Sequence, residues 1–176
     1  MNPGERRGGI MKAVETAVKM EEDAIRFYSE AAEKTAHPFG KKMFESFSLD
    51  EKRHLDMLKE ILDGHGIDIR QVDPAEAVRS IFDTLKSEMM ERVEATTDEI
   101  NALKLAIEME RKGYEFYKET AAGTSDEGEK ALFQRLAKEE EKHFDILQNT
   151  YAFLTDTGNW FMWEEQAIVD GGTPWA

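Results

Sequence analysis

Six residues of metal-binding types recur at matched spacings along the chain. They are four glutamates and two histidines: Glu21, Glu51, His54, Glu110, Glu140 and His143. A glutamate and a histidine three positions apart on a helix lie on one face, so both can reach a single ion. Four carboxylates and two imidazoles are a complete donor set for two metal ions bridged by carboxylates.

The six residues form two equivalent sets because the sequence matches itself without gaps at an offset of 89 residues. Residues 17–32 align with residues 106–121, and residues 43–58 align with residues 132–147. Each copy holds one glutamate in its first segment and one Glu-x-x-His in its second segment. The repeat predicts a helical hairpin that is present twice.

Proline, glycine and capping residues mark the ends of the helices. They predict helices over about 10–36, 41–63, 98–122 and 126–154, with residues 1–9 loose and the third N-cap near Thr97. A long crossover over 64–97 contains a helix of its own, and an aromatic tail follows over 155–176. Two hairpins joined by one long crossover predict an all-α, ferritin-like four-helix bundle, as a single domain over 1–176. A bundle of another topology is the alternative, which the length of the crossover disfavours.

The repeated glutamates interrupt apolar stripes of helical spacing. In the first helix, Glu21 fills the gap between Ala17 and Ala24, and the other three glutamates take corresponding places. Buried carboxylates require a compensating positive charge, and no lysine or arginine occupies these stripes. Two divalent cations would supply that charge, and iron or manganese suits oxygen and imidazole donors. The alternative is a structural bundle without chemistry.

Composition excludes several functional classes. A formal net charge of -14 disfavours nucleic-acid binding. Without cysteine, the chain has no disulfide, thiolate zinc site or iron–sulfur cluster. No apolar run approaches the roughly 20 residues that a membrane span needs, and no apolar segment follows Arg6 and Arg7 as it would in a signal peptide. We therefore expect a cytoplasmic protein that binds neither nucleic acid nor membrane.

Four segments resemble the rubrerythrin branch of the ferritin-like di-iron superfamily. They are MEEDAIRFY, DEKRH, MERKGYEFY and EEEKH. The resemblance implies that the six residues are ligands, with Glu51 and Glu140 bridging the metals and Glu21 and Glu110 terminal. It also implies a di-iron oxidoreductase that reduces hydrogen peroxide or dioxygen. Ferritin-like oxidation and sequestration of iron is the alternative function.

Two features depart from that family's pattern. Gly113 stands where rubrerythrins carry a further ligand glutamate, and the matching residue in the first copy is Ala24. The chain also lacks the cysteines of a rubredoxin domain. We therefore expect electrons to come from an external donor, either a small rubredoxin-like protein or a flavoprotein.

Four further residues are candidates for supporting the metal ligands. Asp50 and Glu139 each precede a bridging glutamate and could accept the free N–H of a ligand histidine on a neighbouring helix. Tyr28 and Tyr117 lie two turns after Glu21 and Glu110, and could hydrogen-bond to ligand carboxylates or act as redox-active phenols. The alternatives are a solvated helix face for the acids and core packing for the tyrosines.

Two other features carry expectations about surfaces. His37 lies beside a proline in a turn, and we expect it to be exposed. Trp160, Phe161 and Trp163 would be a liability in solvent, so we expect the tail to dock on the bundle or on a second subunit of a homodimer.

Overall fold

A computed structural model describes residues 3–63, 74 and 95–158, with side chains from residue 10 onwards. The predicted crossover helix and the aromatic tail from residue 159 lie outside the described residues. Within this part of the chain, no helix is both long and apolar enough to cross a membrane.

Four α-helices make up the described structure. They are α1 (Pro3–Lys34), α2 (Pro38–Leu62), α3 (Thr97–Gly123) and α4 (Glu127–Thr157). The four predicted helices are therefore confirmed, although some ends differ. The expectation that residues 1–9 are loose is wrong for residues 3–9, which belong to α1. Helix α2 begins at Pro38 rather than near Lys41, because proline fits the first helical turn.

The start of α3 is fixed by a capping box. The Thr96 hydroxyl accepts a hydrogen bond from the Glu99 backbone N–H at 3.2 Å, and Glu99 Oε2 accepts from the Thr96 backbone N–H at 2.8 Å. The N-cap is thus one residue earlier than predicted. Glu99 Oε1 also accepts from the Ala36 backbone N–H at 3.1 Å, which ties the beginning of α3 to the turn between α1 and α2.

The helices pack as two hairpins, α1 with α2 and α3 with α4, as the repeat predicts. Two separate apolar cores form, and each draws residues from all four helices. One core includes Tyr28, Phe47, Leu103 and Ile146. The other includes Val14, Leu58, Tyr117 and Leu136. Along every helix, the predicted metal ligands lie between the residues of the two cores. A layer of polar side chains therefore separates the two cores.

His37 corrects an expectation about the surface. Its side chain is fully buried in the turn between α1 and α2, beside Phe39, which is also fully buried. The turn packs against the end of a core, so the side chain of His37 is buried although it lies between two helices.

Candidate metal centre

The polar layer contains all six residues that the sequence singles out. Helices α1 and α3 contribute one glutamate each, while α2 and α4 contribute a glutamate and a histidine each. None of the six residues is more than 5% exposed. The fold thus brings the six side chains together in the interior.

The donor atoms form two overlapping clusters, in each of which they lie within 4.8 Å of one another. The first cluster contains Glu21, Glu51, His54 and Glu140. The second contains Glu51, Glu110, Glu140 and His143. Glu51 and Glu140 belong to both, which is the arrangement expected of ligands that bridge two ions.

Six buried atoms of this layer make no hydrogen bond of acceptable geometry. They are both carboxylate oxygens of Glu51, one oxygen each of Glu110 and Glu140, and Nδ1 of His54 and His143. His54 Nδ1 lies 2.8 Å from a Glu51 oxygen and 3.2 Å from a Glu140 oxygen. Leaving buried polar atoms unsatisfied costs about 1–3 kcal/mol each. The residues present therefore fit two cations, and their binding of metal stays a prediction.

Both imidazoles are oriented by carboxylates on the neighbouring hairpin. His54 Nε2 lies 3.0 Å from Glu139 Oε2, and His143 Nε2 lies 3.1 Å from Asp50 Oδ2. An N–H at Nε2 that donates to these acids leaves the lone pair of Nδ1 directed at the clusters. The structure therefore places Asp50 and Glu139 where they can fix the tautomer that binds a metal.

Arginine side chains join this network, and they are not among the residues predicted from the sequence. Arg53 Nη1 donates to Asp50 Oδ1 at 2.7 Å, and Nη2 of the same guanidinium donates to Glu139. Arg135 forms a second ion pair with Glu139 at 2.5 Å. Burial alone would raise the pKa of Glu139, but His54 and Arg53 outweigh burial and lower it to about 2. The position of Arg53 inside DEKRH, three residues after Asp50, was the available signal.

The two buried tyrosines form hydrogen bonds between the two hairpins. Tyr28 on α1 donates its hydroxyl to Glu110 on α3, and Tyr117 on α3 donates to Glu21 on α1. Burial and the adjacent glutamate raise the pKa of each tyrosine well above its ordinary value, so both hydroxyls stay protonated donors. Each tyrosine thus holds a buried glutamate of the other copy.

Burial and neighbouring charges shift the pKa values of the titratable groups in the layer. Burial, followed by the charge of Glu51, raises the pKa of both Glu21 and Glu140. Burial would lower the pKa values of the two histidines, but neighbouring carboxylates reverse that effect and raise them. For Glu51, burial is opposed by the histidines, which lower its pKa. Metal ions would have to displace protons from these groups.

Gly113 lies against one of the shared glutamates. A Cβ atom at this position would stand 3.1 Å from Glu140 Oε2, so the carboxylate would have to shift by a few tenths of an ångström. The glycine therefore leaves room for the Glu140 carboxylate in its present position.

A family model described as rubrerythrin matches residues 12–151 of the chain. That span includes all six residues of the layer and most of each of the four helices. Comparisons with curated proteins and with solved structures gave no match.

Proposed function

The chain belongs to the rubrerythrin family, and from that premise we propose that it is a di-iron oxidoreductase that reduces hydrogen peroxide or dioxygen. One observation carries the proposal: two overlapping clusters of buried Glu and His donors share Glu51 and Glu140. Oxygen and imidazole donors suit iron, and manganese is the alternative ion. A reduced metal pair, when bound, supplies the two electrons that convert hydrogen peroxide and two protons into two water molecules.

The protein's own residues hold this centre in place. Tyr28 and Tyr117 orient the terminal carboxylates from the opposite copy. Asp50 and Glu139 orient the imidazoles. Apolar cores at both ends of the layer exclude water from those directions, and the Phe47 ring contacts the His143 ring with centroids 4.5 Å apart.

Electrons are proposed to come from an external donor, because the chain contains no cysteine to hold a rubredoxin iron. A small rubredoxin-like protein or a reduced flavoprotein has the required chemistry. We also propose a homodimer, in which the aromatic tail is covered.

A stoichiometric assay tests the proposed activity. The protein is loaded with ferrous iron without oxygen, the metal content is measured, and hydrogen peroxide is added. We expect two irons per chain, one peroxide consumed per pair and the appearance of ferric absorbance. A chain that binds two irons but, when ferrous, consumes neither hydrogen peroxide nor dioxygen overturns the proposal. Many irons per chain in a large hollow shell would instead favour ferritin-like iron storage.

Adjacent glutamates on α4 provide a matched pair of variants. Glu140 is buried in both clusters, whereas its neighbour Glu141 is exposed. Glu140→Ala should lose both ions, because a shared ligand serves both, and Glu51→Ala should do the same. Glu141→Ala should keep two ions per chain. Equal metal contents in the folded Glu140→Ala and Glu141→Ala proteins would contradict the assignment.

A further inference from the structure

A pocket of about 190 Å³ opens between α1 and α3 and ends at the metal centre. Met20 and Ala24 on α1 face Met109 and Gly113 on α3 across it, and Glu140 lies at its base. These four residues occupy equivalent positions in the two copies of the repeat: Met20 corresponds to Met109, and Ala24 corresponds to Gly113. Small residues therefore open the pocket at the same place in both copies.

The mouth of the pocket lies at the protein surface. Asp23 and Lys112 also line it, and their side chains are 69% and 64% exposed. A ligand can therefore enter from solvent and reach the carboxylate layer without crossing either apolar core.

The pocket is larger than peroxide or dioxygen requires. A water molecule, which has one heavy atom, occupies roughly 30 Å³ in the liquid, and a dry apolar cavity of roughly 150 Å³ accepts benzene. The pocket of about 190 Å³ thus has room for an aryl or branched alkyl group. Its walls suit such a group, because methionine is flexible and adapts to apolar ligands.

We propose that this pocket binds the organic group of a small alkyl or aryl hydroperoxide, with the peroxide oxygens directed toward the metal centre. This inference rests on the proposed function and names its substrate class. In the reaction, the O–O bond of ROOH breaks, and two electrons and two protons give ROH and water. Two ferrous ions, when bound by the six residues, would supply the electrons and become ferric, and solvent would supply the protons.

Binding is tested first, without turnover. The probe is 2-phenyl-2-propanol, the alcohol that cumene hydroperoxide would yield, added to manganese-loaded protein. Because Mn²⁺ is paramagnetic, it shortens the relaxation times of ligand protons that bind beside it. We expect strong relaxation enhancement of the methyl protons of the alcohol. Saturation-transfer NMR on the same sample detects binding to the protein independently of the metal.

A substitution that fills the pocket, together with the same substitution at an exposed position, tests the assignment. Ala24→Leu places a larger side chain in the wall, and Ala131→Leu makes the same change at an exposed position of α4. Ala24→Leu should weaken binding of the alcohol at least tenfold. It should also lower, at least tenfold, the ratio of kcat/KM for cumene hydroperoxide to kcat/KM for hydrogen peroxide. Ala131→Leu should leave both quantities unchanged. Should Ala24→Leu not fold, the relaxation measurement on the unmodified protein decides the question.

The outcomes separate the two proposals. If ferrous protein consumes hydrogen peroxide but the alcohol neither binds nor relaxes faster, the pocket assignment is overturned and the proposed function stands. If hydrogen peroxide is consumed and the alcohol binds beside Mn²⁺ but cumene hydroperoxide is not consumed, the hydroperoxide proposal is overturned and the proposed function stands. If neither peroxide nor dioxygen is consumed, both proposals are overturned. Equal binding to the Ala24→Leu and Ala131→Leu proteins also overturns the assignment.

Discussion

Raising the pH should destabilise the metal-free protein. Glu21 and Glu140 have raised pKa values in the folded state. Above the ordinary carboxyl pKa, the unfolded chain has released these protons while the folded protein retains them. The free energy of unfolding therefore falls as the pH rises. His54 and His143, whose pKa values are also raised, act in the same direction above about pH 6.5.

The size of the effect follows from the number of retained protons. Each retained proton lowers the free energy of unfolding by about 1.4 kcal/mol per pH unit. Two retained carboxyl protons give at most about 2.8 kcal/mol per unit above the ordinary carboxyl pKa. The pKa values of Glu51 and Glu139 are lowered, so the stability that these groups contribute is lost only below the ordinary carboxyl range. A typical domain has about 5–15 kcal/mol in total, so the effect is measurable.

Urea unfolding of chelator-treated protein at several pH values gives this slope directly. Glu140→Gln should reduce it by about 1.4 kcal/mol per pH unit, because one titrating group is removed. Glu141→Gln, which changes an exposed neighbour, should leave the slope unchanged. Added Mn²⁺ should reverse the trend, since deprotonated ligands bind metal more tightly at higher pH. If metal-free protein is equally stable or more stable at higher pH, the assignment of protons to this layer is wrong.

Three substitutions test other parts of the structure. Glu139→Gln removes the charged acceptor of His54, so affinity for one of the two ions should fall roughly 10–100-fold in a metal titration; equal losses for both ions would contradict this. Thr96→Ala removes the cap of α3 and should lower the free energy of unfolding by about 1 kcal/mol in urea, whereas an unchanged value would show that the capping box is dispensable. Gly158→Ala places a side chain at φ 69° and should cost about 1–2 kcal/mol, measured by thermal unfolding; an alanine variant of equal stability would refute the strain argument.

The position of the polar layer could be predicted because helical spacing decides which face a residue shares with its neighbours. Glu21 follows Ala17 by four residues and precedes Tyr28 by seven, so all three lie on one stripe. The same reasoning on the other helices predicts which glutamates and histidines turn inward. The internal repeat adds the pairing of helices into hairpins, which the structure confirms.

Contacts between helices could not be predicted in the same way. Spacing puts Tyr28 on the face of Glu21, yet its hydroxyl reaches Glu110 on another helix. That partner depends on how α1 and α3 are rotated and offset, which no local pattern specifies. The burial of His37 likewise depends on which core its turn covers, while its neighbour Pro38 suggests only a turn.

The contacts of the metal centre are exchanged when the two copies of the hairpin are exchanged, so the site has an approximate two-fold symmetry. Each ion would meet the same donors, and any difference between the ions must come from residues that break the symmetry. Arg135, which pairs with Glu139, corresponds to Ser46 in the first copy. The second guanidinium makes the charges around Glu139 and His54 differ from those around Asp50 and His143. We therefore expect two bound ions to differ in reduction potential.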